Sequence, residues 1–165
     1  DLLVTHSIEF WSYLPLMILR ENLYTDPMKP VSVEAGITEV GSPTKTSPVL
    51  VTTNFALTYF TVQGDLSSSK ESCYILTLDT EGLSVGSALA GRKMTSETVA
   101  EAIKETKIEE RISHKTMIIP GMTARLQGEI EELAGWTVWV GPQDSSGIVP
   151  FLQKKWSPEG PIKEE

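Results

Sequence analysis

The sequence holds a single cysteine in 165 residues, carries no excess of positive charge and has no apolar run long enough to span a bilayer. Each shortage removes a class of function. One Cys, Cys73, cannot close an intrachain disulfide, hold an iron-sulfur cluster or build a zinc site, and it suits a reducing cytoplasm. With 14 Lys and Arg against 22 Asp and Glu, the formal charge is -8 and the pI near 4.8. The summed field repels phosphate backbones and anionic lipid surfaces, which argues against nucleic acid and membrane as partners. The longest apolar run, "YLPLMIL" from Tyr13, is far short of a membrane span, and the opening "DLLVTHSIEF" lacks the basic start of a targeting peptide. Phosphate-loop signatures are missing as well. Gly82, Gly86 and Gly91 do not have the spacing of a dinucleotide fingerprint, and no G-x-x-x-x-G-K-[ST] occurs. The chain starts at Asp1 rather than Met, which predicts a piece of something longer.

What is present is a repeat of strand, polar turn and helix. Four short runs, "PVLVTT" from Pro48, "CYILTLDT" from Cys73, "KTMIIPG" from Lys115 and "WTVWVGP" from Trp136, are apolar almost without alternation. Strands covered on both faces have that pattern. Between them, "NFALTYFTVQ" reads as a helix ending at Gly64. "TSETVAEAIKE" reads as a helix capped by Thr95 with Val99 and Ile103 on one stripe. "MTARLQGEIEELAG" reads as a helix aligning Met122, Leu126, Ile130 and Leu133 and stopped by Gly135. The expected fold is a Rossmann-like, doubly wound α/β domain with a mainly parallel sheet over 48–153. Residues 1–47 read as the apolar helix of a preceding domain, or a strap, followed by a linker rich in Pro, Ser and Thr. Residues 154–165 read as a frayed tail.

In such sheets the ligand binds beyond the carboxyl ends of the strands. The exits read Thr52-Thr53-Asn54, Asp79-Thr80-Glu81-Gly82, Pro120-Gly121 and Gly141 to Gly147. The second runs on into "LSVGSALAG", where Ser84 and Ser87 share a face beside Gly86, Ala88 and Gly91. Two readings stay open there: a flat ligand against backbone, or close helix-to-sheet packing. His114 and Cys73 fall at the opposite edge and His6 in the N-terminal part, so the histidines read as surface or packing residues and Cys73 as a small buried hydrophobe. Asp79 and Glu81 read as turn or cap residues before an acid-base pair, and "EIEEL" as a solvated helix face.

The blocks "SPVLVTTNFALTYFTV", "LDTEGLSV", "IIPG" and "GWTVWVGP…SGI", with "LRENLYTDPMKP" upstream, resemble the C-terminal part of the large subunit of the corrinoid iron-sulfur protein of the acetyl-CoA pathway, from Trp11 to Leu152. The resemblance implies the last helix of a TIM-type barrel plus a Rossmann-like cobamide domain, with the iron-sulfur cluster in an N-terminal part lying outside this chain. It implies a carrier, not catalytic alone, that moves a methyl group from a methyltetrahydrofolate methyltransferase to acetyl-CoA synthase, with the family's small subunit as a further partner. It also implies that the lower corrin face rests on Gly82, Leu83, Ser84, Val85 and Ser87, with a hydroxyl of Ser84 or Ser87 nearest the metal. Thr52, Asn54, Thr58, Gly121 and Ser146 would line the cobamide's amides and nucleotide tail. The D-x-H-x-x-G motif of other cobalamin modules is absent, so a base-off cobamide without a protein nitrogen on cobalt is expected. One departure stands out: family members read "LSVLTAW" where this chain has "LSVGSAL". Two other classes remain on the residues alone, a subunit-docking module without its own cofactor and a flavodoxin-like domain with a nucleotide cofactor.

Overall fold

Residues with an apolar side chain at every position can satisfy a strand only if both faces are covered. Strand β2 (Val49–Thr53), strand β3 (Cys73–Leu78) and strand β4 (Thr116–Ile119) are buried at every residue. The computed structural model, which describes residue 6 and residues 9–23, 30–157 and 160–162, shows how. Alternate side chains diverge into two cores. Val49, Val51, Leu76, Leu78, Met117 and Ile119 enter one, while Leu50, Cys73, Ile75 and Ile118 enter the other. Strand β5 (Thr137–Val140) divides likewise, Val138 to the first and Trp139 to the second.

Helices cover each side. The first core is closed by Val85 and Ala88 of α3 (Val85–Ala90), Val99 and Ile103 of α4 (Ser96–Thr106), and Ile130 of α5 (Gln127–Ala134). The second is closed by Tyr59, Val62 and Leu66 of α2 (Ala56–Ser69) and Leu152 of α6 (Ile148–Lys155). β2 pairs in parallel with β3 and β4, and β4 with β5. The fifth strand, β1 (Gly36–Val40), pairs antiparallel with β3, so the sheet order is β1-β3-β2-β4-β5. This is the Rossmann-like, mainly parallel architecture expected. Because the chain goes from β2 to β3 on one side and then crosses to β4 on the other, the strand order reverses between β2 and β4, and a crevice opens at their carboxyl ends.

Local chemistry explains where the elements begin and end, and corrects the expectations in places. Thr95 and Thr98 form a reciprocal capping box at the start of α4, with Thr98 in the place more often taken by Glu or Gln. Gly135 ends α5 in the left-handed conformation (φ 67°). Helix α2 does not stop at Gly64 but runs on to Ser69, where Lys70 takes the left-handed cap (φ 61°). Gly64 lies on the exposed side, with no neighbour near its missing Cβ, so the helix loses little there. The stripe from Met122 to Leu133 is also not one helix. Gly121–Leu126 coils as a 3-10 turn and only then passes into α5, which leaves Met122 and Leu133 exposed while Ile130 is fully buried. The stretch from Ile37 that reads as linker holds the edge strand β1.

At the N-terminus, α1 (Phe10–Leu23) contains Pro15 and leaves Phe10, Trp11, Tyr13, Leu14 and Met17 exposed; the closing turn from Thr25 to Lys29 lies outside the described residues. The other end is less frayed than expected. Trp156 and Ser157 pair with Gly160 and Pro161, and the Trp156 ring packs edge-on against His114 (5.0 Å) and Trp139 (5.5 Å) while its indole N–H donates to Thr46 O at 2.8 Å.

His114 does act as a packing residue at the edge opposite the strand exits. Its Nε2–H donates to Ser47 O (2.9 Å) and its Nδ1 accepts from Thr116 N (3.2 Å), a pairing that only the neutral ring can make. Burial holds its pKa below the ordinary histidine value, against a weaker opposite pull from the Ser47 carbonyl. The unfolded chain therefore binds the proton more readily. Stability is expected to be complete above about pH 6.5, the unfolded value, and to decline as the pH falls below it. Urea unfolding at a series of pH values should show that decline in the wild type and a smaller one in His114→Gln.

Candidate functional site

The crevice at the strand-order reversal is a cleft of about 270 Å³. Its floor is Leu50, Thr52 and Ile118 from the strands, and one wall is the first two turns of α2, where Thr58 and Thr61 stand one turn apart. The opposite wall is the loop after β5, with Pro142, Gln143, Asp144 and Ser145. Asp144 is the one charged residue among those lining it, in a chain whose net charge is -8. A largely apolar cleft with one carboxylate and a few hydroxyl and amide groups suits a small flat apolar group with polar edges, and without a cation it offers little to a free phosphate.

Gly121 builds the cleft rather than opening onto it. A Cβ there would meet Gly141 O at 2.8 Å and Gln143 N at 3.0 Å, so only glycine lets the turn after β4 press against the loop after β5. The two exits are then stitched by Gly121 N–H to Pro142 O and Gly141 N–H to Ile119 O, both 2.9 Å. Ser146 faces its own loop, donating to Asp144 Oδ1. Of the residues expected at the cleft, Thr52, Thr58 and Val85 line it, and Gly121 shapes it. Gln143 and Ser145 of the fourth exit line it too, as do Thr61 and Met122, which were missed. Thr61 could have been found from its helical spacing to Thr58; Met122 depends on how the turn after β4 folds back.

Asn54 has a different part. Its side-chain Oδ1 accepts from Thr80 N (3.0 Å), Thr80 Oγ1 (3.0 Å) and Gly82 N (2.9 Å), and its Nδ2 donates to Asp79 Oδ1 (3.0 Å). The amide is committed to the turn after β3 and shapes it. Asp79 completes the turn by accepting from Glu81 N (3.0 Å), and Glu81 pairs with Lys93 at 2.5 Å across the surface, so both carboxylates serve as turn residues.

The small residues that follow are mostly met by the chain itself. Gly82 has φ +74°, and a Cβ on it would meet Pro30 Cβ and Pro30 O at 3.0 Å. A Cβ on Gly86 would meet Met122 Cε at 3.0 Å, and one on Gly91 would meet Ser87 O at 3.2 Å. Ser84 is the N-cap residue of α3 with its hydroxyl donating to that of Ser87 at 3.2 Å, on the outer side and away from the cleft lining. Leu83 leans back on the first core. Cys73 is fully buried at the other edge, where burial first and the Glu71 carboxylate second push its thiol up to about 12, which removes it as a nucleophile. Among the described residues no cluster of three or more His, Cys, Asp or Glu side chains could hold a metal ion, and no helix is long and apolar enough to cross a membrane.

Truncating Asn54 would leave the Thr80 and Gly82 N–H groups buried without a partner. Asn54→Ala is expected to destabilise the chain by about 3 kcal/mol in urea titration, and Asn54→Asp by at least as much, because a carboxylate oxygen would then face Asp79 Oδ1 where the amide N–H now donates. A loss below about 1 kcal/mol in Asn54→Ala would mean that the acceptor is not what holds the turn.

Comparison with known proteins bears on this geometry. The model of the CO dehydrogenase/acetyl-CoA synthase delta subunit family matches residues 1–152. Similar proteins include the acetyl-CoA decarbonylase/synthase complex subunit gamma of Methanothermobacter thermautotrophicus, 51% identical over 93% of this chain, and that of Archaeoglobus fulgidus, 47% identical over 96%. The subunit gamma of Methanocaldococcus jannaschii is 40% identical over 94%. This chain covers 34%, 34% and 32% of those three proteins, so it spans about a third of their length. With nearly the whole chain matched, it belongs to the CO dehydrogenase/acetyl-CoA synthase delta subunit family and is similar within it to the gamma subunits of the acetyl-CoA decarbonylase/synthase complex.

Proposed function

We propose that this chain is the cobamide-holding part of a methyl-carrier subunit within an acetyl-CoA decarbonylase/synthase complex. The observation that carries the reading is the cleft at the strand-order reversal, largely apolar apart from Thr52, Thr58, Gln143, Asp144 and their neighbours, in a chain of this family. A cobamide has a flat amide-fringed ring and a tail ending in an aromatic base. A cleft of about 270 Å³ lies just below the usual range of ligand sites, which starts near 300 Å³, so it suits the tail and not the ring. The ring would then lie over the exits, toward the turn from Gly82 to Ser87.

When bound, the cobamide supplies a cobalt that accepts and gives up a methyl group. The chain's own residues hold and orient it. Thr52 and Thr58 offer hydroxyls to the tail, Gly121 keeps the wall closed behind it, and the Asn54 amide fixes the turn beneath the ring. The hydrogen bond between Ser84 and Ser87 keeps both hydroxyls on one side, where either could meet the ring's lower face. His114 is engaged at the opposite edge, so under this reading it is not a ligand of the cobalt. Partners under this reading are the other subunits of the complex, including the family's small subunit and acetyl-CoA synthase, with a methyltetrahydrofolate methyltransferase as donor.

A docking module is the second reading, favoured by the exposed apolar side chains of α1 and by the exposed Phe60 of α2. The two separate experimentally. Titrating the purified chain with a base-off cobamide should shift its visible spectrum and leave cofactor bound after gel filtration, and Thr58→Val should weaken binding about fivefold, the loss of one hydrogen bond. No spectral shift and no retained cofactor would remove the cobamide reading in favour of docking.

A further inference from the structure

Of helix α3, Val85 alone lines the cleft; Gly86 and the paired hydroxyls of Ser84 and Ser87 lie outside it. The side chain between the two regions is Met122. It lines the cleft, is 52% exposed, and its Cε lies 3.0 Å from where a Cβ on Gly86 would stand. Its backbone has little freedom. Gly121 on one side is wedged against Gly141 O, and Thr123 on the other is fully buried, with both its N–H (2.9 Å) and its Oγ1 (2.7 Å) donating to Pro120 O. A fixed backbone carries an unbranched side chain with three rotatable bonds and a polarizable thioether, half in solvent, resting on a residue without a side chain. That arrangement gives a partition that turns at low cost.

We infer that Met122 is a specificity-determining residue, a movable wall that separates the cleft from the face of α3 in the empty chain and that a ligand spanning both must turn aside. This rests on the reading of the site as the seat of one large flat ligand. Gly86 is then where the wall rests, and the bulk that the turn excludes is the chain's own methionine. The wall favours ligands that can spread the two regions apart over small molecules that fill the cleft alone, and a stiff side chain at 122 would shut out the larger ones.

The experiment uses the whole chain labelled with ¹³C-methyl methionine, the Met122 signal being assigned with Met122→Leu. In the empty chain the Met122 methyl should show a nuclear Overhauser contact to the α-protons of Gly86. Added base-off cobalamin should abolish that contact and move the methyl signal. In stopped-flow mixing, Met122→Ala should take up cobalamin about fivefold faster than wild type, as a contact of this size is removed. Met122→Ile, whose branched β-carbon stiffens the side chain, should be slower than wild type by a similar factor. Uptake at equal rates in all three, with an unmoved methyl signal, would overturn the wall and leave the cobamide reading standing. If no variant binds cobalamin, the cobamide reading falls, and the contact to Gly86 in the empty chain decides the wall by itself: its absence overturns it, its presence supports it.

Discussion

The candidate site depends on one buried amide. Asn54 follows β2, its backbone N–H donates to Leu78 O at the end of β3, and its side chain then holds the turn that follows β3 through three donors and one acceptor. A turn with Gly82 and Glu81 both at positive φ would otherwise have many ways to lie. With Oδ1 at its centre it has one. The start of α3, the placement of Ser84 and Ser87 and the orientation of Val85 toward the cleft all follow from it. Hydrogen bonds in a buried network of this kind reinforce one another, and the same environment makes the loss of the central acceptor costly.

A second constraint is the close approach of the turns after β4 and β5. Gly121 and Gly141 let two backbones meet where any side chain would hold them apart, and Gly147 lies equally close to Pro142. The result is a cleft wall made largely of backbone, with Gln143, Asp144 and Ser145 projecting from it. The cleft is therefore shaped by what the loops lack, and its polar groups sit on a frame whose geometry does not rely on long side chains.

Much of this was legible in the sequence. The four parallel strands announce themselves as continuous apolar runs because side chains from both of their faces enter a core, and the exit rule picked out Thr52 and the loop from Gly141 to Gly147, whereas Thr58 came from the family resemblance. Strand β1 was not legible, since its alternation and the Pro, Ser and Thr after it look like a linker, and its place is decided by pairing with β3 far along the chain. The exposure of Met122 was hidden for a related reason. A stripe drawn at helical spacing goes out of phase when the first turn is 3-10, and nothing local marks that. Asn54 was expected at the ligand from the family resemblance; its part as a brace shows only in the positions of Thr80 and Gly82. The small residues of "LSVGSALAG" posed the same ambiguity, and the packing of Pro30 on Gly82 and Met122 on Gly86 shows how much of it belongs to the chain itself.

The segment before β1 has a mechanical consequence. Pro30 lies over Gly82, Val33 N–H donates to Asn54 O, and Ala56 N–H donates to Val31 O. The chain thus reaches its sheet by crossing over the turn and the brace that shape the candidate site, gripping both on the way. Tension or rotation applied upstream of Pro30 is delivered first to Gly82 and Asn54, before it reaches the buried strands, which makes this short crossing a lever with the candidate site at its fulcrum.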